Sequence, residues 1–290
     1  MKGHLAISRR QSLQGLGLLG LGAFTANNAG VQLAPAARAA EDVSDEDIFR
    51  FALNLEYLET EYYLRATTGK GIDNADLGAD PGPVKGGRKV PFESRAISEF
   101  AEELAENELA HVRFYRKTLG RQSVDRPAID LEAGFAAVGK ALGMPDFDPF
   151  ASDMNFLIGG MLFEDVGVTG YAGAAPLLKN REFVEAAAAI LAVEAYHMGM
   201  ARSQLYGMGD KAQKLANAVS AARDKLDGPG DKDQGIERRG KANFVPSTPD
   251  GMVFRRTPQE VLRIVYLTDK AGVDSGGFYP KGMNGALKTT

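Results

Sequence analysis

Glu194-Ala195-Tyr196-His197 repeats an earlier stretch, Glu108-Leu109-Ala110-His111, and the reading of the chain turns on that repeat. The chain holds three histidines, and the third, His4, lies in a leader-like N-terminal stretch. Each histidine of the body therefore follows a glutamate by three residues. On a helix, positions i and i+3 share a face, so a carboxylate and an imidazole can grip one ion. A single Glu-x-x-His is more often a surface pair, because such pairs arise by chance in helices. Two of them, each on the apolar stripe of its own helix, make a stronger case.

Those stripes predict four long helices. One runs from about Glu93 to Leu119, with Ile97, Ala101, Leu104, Glu108, His111 and Tyr115 on one line and Gly120 as its stop. On its other side Glu99, Glu102, Glu103 and Glu106 form a solvated face. A second spans Arg181 to Tyr206 and aligns Phe183, Ala187, Ile190, Glu194, His197 and Ala201. A third covers Asp45 to about Thr67, capped by Ser44 or Asp45, with Phe49, Ala52, Glu56, Glu59, Tyr63 and Ala66 in line. The fourth, about Ser152 to Ala172, aligns Met154, Leu157, Met161, Glu164, Val168 and Tyr171. Gly159, Gly160, Gly167 and Gly170 weaken it by about 1 kcal/mol each relative to alanine. Close approach of a neighbouring backbone would be one reason for them.

Between these helices, residues 68–92 read as a Gly/Pro/Asp-rich loop, and 121–150 as a long connection with a short helix, Leu131–Leu142. Asp210 is expected to cap a helix over Lys211–Leu226, and the polar stretch 227–240 is expected to be mobile. A capping box, Thr257-Pro258-Gln259-Glu260, starts a last helix. The tail 276–285 should be irregular. Asp210, Asp231 and Asp233 lack the spacing of a calcium loop and receive no role. No strand alternation stands out, so the expected class is all-α.

Composition narrows the functional classes. The 290 residues are 44% apolar and 25% charged, with no cysteine, which excludes disulfides, thiolate metal sites and thiol nucleophiles. Net charge is −4, and no basic stripe with interleaved aromatics suggests nucleic acid. Residues 1–40 read as a signal peptide: Ser8-Arg9-Arg10-Gln11-Ser12-Leu13, a Gly-rich apolar run, then Ala37-Arg38-Ala39 as a cleavage site. They resemble a twin-arginine leader, with Ser12 and Gln14 departing from its usual pattern. Without Lys2, Arg9, Arg10 and Arg38, 30 bases face 38 acids, a net charge of −8. No later segment reads as apolar enough to span a bilayer, so stable membrane insertion is not expected, and the expected location is periplasmic or extracellular. The organisation is then a leader (1–40), a four-helix bundle (45–206) and a C-terminal helical extension and tail (207–290).

Four glutamates and two histidines thus lie on inward stripes. Burying unpaired carboxylates costs several kcal/mol each even after relaxation. Either they meet water or cations sit among them, and two divalent ions would cancel four carboxylates. Mixed imidazole and carboxylate donors suit iron or manganese. A glutamate from each of two helices with a Glu-x-x-His from each of two others resembles the ligand set of the ferritin-like dimetal-carboxylate superfamily. The segments FALNLEYLETEYYLRATTG (51–69), ENELAHVRFYRKTLG (106–120), RTPQEVLRIVY (256–266) and GGFYPKGMNG (276–285) resemble the subgroup that includes plant desiccation-related proteins.

The resemblance implies a ferritin-like four-helix bundle with one long crossover. It implies Glu56, Glu108, His111, Glu164, Glu194 and His197 as ligands of two Fe or Mn ions, with Glu108 and Glu164, or Glu56 and Glu194, able to bridge. Glu56 is preferred over Glu59 because Tyr63 follows it by seven residues, a spacing similar to that of bacterioferritin. Tyr63 is then a catalytic candidate near the ligands, or simply a core tyrosine. Glu59 is left to orient a histidine or to face solvent. The implied function is oxygen- or peroxide-linked redox chemistry of ferroxidase, peroxidase or catalase type, with a small-molecule oxidant as partner and a homo-oligomer compatible with the fold. The alternative is a desiccation- or stress-associated structural protein with a vestigial or structural site.

Overall fold

Ser44 fixes where the fold begins. In the computed structural model, which describes residues 43–290, its hydroxyl accepts from the Asp47 N–H at 3.1 Å while the Asp47 carboxylate reaches back to the Ser44 N–H. This reciprocal cap satisfies two otherwise orphaned donors and starts α1 (Asp45–Thr68). Gly69 ends α1 in the left-handed region, φ 79°. The leader reading and His4 lie outside the described residues.

Side-chain oxygens cap the other bundle helices in the same way: Ser94 for α2 (Arg95–Leu119), Ser152 for α4 (Asp153–Ala174) and Asn180 for α5 (Arg181–Gly207). Asp130 caps the short α3 (Leu131–Ala141) of the long connection. The C-terminal region adds α6 (Asp210–Asp227) and α7 (Pro258–Val265). Gly209 rather than Asp210 is the N-cap of α6. The fold is all-α, as expected, and its strands are two-residue pairs. β1 (Val84–Lys85) lies parallel to β2 (Ile129–Asp130) and ties the 68–92 loop to the crossover. β3 (Glu237–Arg238) pairs with β4 (Lys241–Ala242).

α1 packs along α2 and α4 along α5, and α1 also meets α4. At one end of the bundle, Tyr62 of α1 is surrounded by Phe135 of α3, Phe150, and Phe156 and Phe163 of α4, with ring centroids 5.3–5.6 Å away. Its hydroxyl donates to the Phe156 carbonyl at 2.8 Å, so a fully buried phenol loses no hydrogen bond. The tail is irregular but anchored. Tyr279 donates to the Asn54 carbonyl at 2.8 Å, and the Asn54 side chain exchanges hydrogen bonds with the Asn284 backbone at 2.9 and 3.0 Å.

Two expectations need correction. Residues 227–240 are polar, yet Asp227, Asp233, Gln234 and Ile236 are buried. Asp233 is the hub of an ion network: it pairs with Arg223 of α6 at 2.7 Å and with Arg256, which also holds Asp227 at 2.8 Å. Arg223 and Arg202 both reach Asp165 of α4. Three arginines thus balance three aspartates, which periodicity does not reveal because the partners are far apart in sequence. Second, α5 is long and apolar enough to cross a membrane by length and composition, with mean hydropathy 1.2. Its Glu194, His197 and Arg202 are nonetheless buried in the bundle, facing protein groups.

Removing one member of a buried ion network leaves an uncompensated charge, at a cost of about 3–5 kcal/mol. Asp233→Ala is expected to lower unfolding free energy by about that amount in urea titration. Asp233→Asn should lose nearly as much, because the lost charge rather than the lost volume matters. An effect under about 1 kcal/mol would mean that the network does not hold the C-terminal region.

Candidate metal centre

The inward stripes of the four bundle helices converge. Glu56 of α1, Glu108 and His111 of α2 and Glu194 of α5 bring ligand atoms within 4.8 Å of one another. Glu108, Glu164 of α4, Glu194 and His197 form a second such group. Glu108 and Glu194 belong to both groups, whereas Glu56 and Glu164 each belong to one. Each pairing weighed from sequence, Glu108 with Glu164 or Glu56 with Glu194, joins one shared carboxylate to one unshared, since register alone does not tell which carboxylates lie on the shared midline.

The imidazoles approach the carboxylates through Nδ1. His111 Nδ1 lies 3.2 Å from Glu56 Oε2, 3.2 Å from Glu108 Oε2 and 3.7 Å from Glu194 Oε1. His197 Nδ1 lies 3.0 Å from Glu108 Oε1 and 3.3 Å from Glu164 Oε2, without hydrogen-bond geometry to either. Glu108 Oε1, Glu164 Oε2, both oxygens of Glu194 and His197 Nδ1 are buried with no hydrogen-bond partner. Orphaned donor atoms so close together are rare in protein interiors. Their convergence fits a pair of cations, and the donor set suits Fe or Mn.

Electrostatics point the same way. Burial pushes Glu56 up to about 8 against the pull of His111. Burial and the neighbouring carboxylates push Glu194 and Glu59 well above the usual range. Glu108 goes the other way: burial raises it, but His111 and His197 together outweigh burial and hold it low. Burial would keep both imidazoles neutral, yet Glu56 and Glu108 lift His111 to about 11, and Glu164 and Glu108 lift His197 to about 10. Protons therefore partly balance the charge that cations would neutralise.

Tyr63 donates a short hydrogen bond to Glu164 Oε1, across the centre from its own helix. Tyr171 does the same to Glu56 and also shares a 2.8 Å hydrogen bond with Tyr115. Tyr171 carries the signal used for Tyr63, since it follows Glu164 by the same seven residues. That repeat could have found it. Asn107 was not legible. Its amide stands 3.2 Å from His197 Nε2 and can accept that ring's proton once its oxygen is turned inward.

Glu59 is buried beside the cluster but belongs to neither ligand group, and among the described residues it holds neither histidine. It neither orients a ring nor faces solvent. Gly159, Gly160, Gly167 and Gly170 of α4 answer to side chains rather than to a neighbouring backbone, whereas a Cβ on Gly173 would overlap the Arg256 backbone. A Cβ on Gly167 would overlap the Glu194 carboxylate, and one on Gly160 would stand 3.0 Å from the Tyr63 hydroxyl.

Residues 44–207, the bundle, match the family described as Ferritin-like domain. The chain is 30% identical over 272 residues, 85% of each protein, to the ferritin-like catalase Nec2 of Nesocodon mauritianus. It is 34% identical over 246 residues, 76% of each protein, to the desiccation-related protein PCC13-62 of Craterostigma plantagineum. No solved structure matches it. The match across the whole bundle, with two relatives spanning most of the chain, makes this protein a member of the ferritin-like family, in the subgroup of the desiccation-related proteins.

Proposed function

We propose that this protein is an exported dimetal oxidoreductase that holds two Fe or Mn ions and acts on peroxide or dioxygen. The observation that carries the reading is the pair of overlapping donor groups sharing Glu108 and Glu194, with orphaned buried oxygens between them. Glu56 and His111 would hold one ion, Glu164 and His197 the other, and Glu108 with Glu194 both. Bound there, the ions would supply reversible one- or two-electron redox change. The relative named a catalase favours peroxide as the oxidant: two hydrogen peroxide molecules give two waters and one dioxygen.

The chain's own part is positioning and proton control. Tyr63 and Tyr171 each clamp one terminal carboxylate, restricting its swing. Tyr171 and Tyr115 form a hydroxyl pair along which a proton can pass from Glu56. Glu59 is a buried carboxyl beside the reacting region, raised above the usual carboxylate range by burial and by the neighbouring carboxylates. The twin-arginine-type leader fits export of a folded, already loaded protein to the periplasm or beyond. A second reading, a stress-associated structural protein, draws on the name of the other relative. The unpartnered ligand atoms count against a vestigial form of that site, because a site with no cations has no use for them.

Metal analysis of the purified mature chain should find about two equivalents of Fe or Mn. The Glu108→Ala/His111→Ala variant should lose most of the metal and its peroxide consumption. A folded wild type without metal, or equal turnover in both proteins, would favour the structural reading.

Loading should also release protons, because both imidazoles and Glu56 must give theirs up. At neutral pH a weakly buffered titration is expected to show about two or more protons released per pair of ions, with affinity rising with pH. The metal-free protein should behave in the opposite sense. Glu56 is raised from 4.5 to about 8 by folding, so its contribution is complete below about pH 4.5 and fades as pH climbs to 8. The histidines contribute fully below 6.5 and fade toward 10 and 11. Metal-free melting temperature should therefore fall from about pH 5 to about pH 9. A rise would contradict the assignment of protons to this cluster.

A further inference from the structure

The centre is built on an approximate internal repeat. Glu56 and Tyr63 of α1 correspond to Glu164 and Tyr171 of α4, and Glu108 and His111 of α2 to Glu194 and His197 of α5. Extending the same offsets shows where the halves differ. Glu59 corresponds to Gly167, and Tyr115 to Ala201. Glu59, Gly167 and Tyr115 all line one cavity, between α1 and α4 and beneath α7 and the tail.

This cavity has a volume of about 40 Å³. Its inner end is formed by Glu56, Glu59, Tyr115 and Tyr171, and its walls are otherwise almost wholly apolar, including Phe49, Val166 and Val261. At the rim stand Ala52, Leu55, Pro258 and Leu287, all half-buried. Glu59, 6% exposed, is one of the two carboxyl residues among the lining. A cavity of this size exceeds the roughly 10–15 Å³ needed for one water, but outside the polar inner end its apolar walls give water no partners. Peroxide faces the same penalty along the apolar stretch, since each polar group it buried there would lose its hydrogen bonds. An organic substrate is too large. A small apolar gas meets neither objection.

We propose that this cavity is a dioxygen site, through which the gas passes between solvent and the Glu56–Tyr171 edge of the centre. The proposal rests on the redox reading above and specifies which molecule that edge serves: dioxygen enters here where it is consumed and leaves here where peroxide is disproportionated. Peroxide, being polar, takes a different approach to the cluster.

Xenon tests the cavity independently of any metal, because it is apolar, gas-sized and strongly scattering. Crystals of the mature chain pressurised with xenon should show one atom between Ala52, Gly170 and Val261. Ala52→Phe should exclude it. Ala174→Leu on the facing wall serves the same purpose should the first variant fold poorly. With equal metal content confirmed, the filled variants should consume or evolve dioxygen several-fold more slowly at an oxygen electrode, with the apparent KM for peroxide unchanged. No xenon at this position, or xenon excluded with dioxygen rates unaltered, overturns the proposal. Xenon bound in a loaded wild type that turns over neither oxidant would instead sink the redox reading, and with it the role assigned to the gas.

Discussion

Six ionisable side chains share a buried space, and most of the structure follows from that constraint. Glu56, Glu108, Glu164 and Glu194 are each at most 1% exposed. Carboxylates in such a place repel one another and forfeit hydration, a penalty of several kcal/mol per ion after relaxation. Without compensation the bundle would spread or take up protons. The shifted ionisation of Glu56 and both histidines shows the second route within the protein alone. Cations would also satisfy the orphaned oxygens, which protons on imidazole nitrogens do not reach with good geometry.

Holding such a centre demands stiffness around it. The capped ends of α1, α2, α4 and α5 fix the axial position of each ligand. Asp45 adds a tie, accepting from the Lys179 and Asn180 N–H groups and so pinning the start of α5 to the start of α1. The crossed tyrosines then couple α1 to α4 at the centre itself. Each joins a helix to the carboxylate of the other, so a shift of either helix is felt at both terminal ligands. Gly167 makes room for Glu194 at the helix-weakening cost that sequence alone assigns to glycine, and this is why α4 tolerates it.

The fold was legible because the bundle's signals are local and periodic. Stripes at 3.6-residue spacing, Ser and Asn caps and the Gly69 stop each depend on residues a few positions apart. Glu108, His111, Glu194 and His197 of the buried cluster were legible because each Glu-x-x-His is contained within a single turn, and Glu56 and Glu164 because they lie on apolar stripes. What escaped were relations between distant segments. The shared position of Glu108 and Glu194 depends on how four helices meet, and the neutral Arg–Asp network depends on partners from residues 165 to 256. A polar stretch such as 227–240 looks mobile until the charges that bury it are known. Tyr171 is the exception, for its spacing was visible and only the comparison of the two halves was missing.

The C-terminal region shows how that hidden layer bears on the centre. Arg256 is held by Asp227 and Asp233, and it lines the same cavity as Glu56. Val261 follows on α7, and its methyl group would stand 3.4 Å from any Cβ added at Gly170. The ion network thus sets the height of a roof over the most open face of α4, where Gly167, Gly170, Tyr171 and Ala174 are only half-buried. A bundle without this roof would leave Tyr171 and the edge of the ligand set in contact with bulk water. Residues 207–290 therefore do not merely follow the bundle in sequence: they supply the low-dielectric wall that the shifted carboxyls of α1 require.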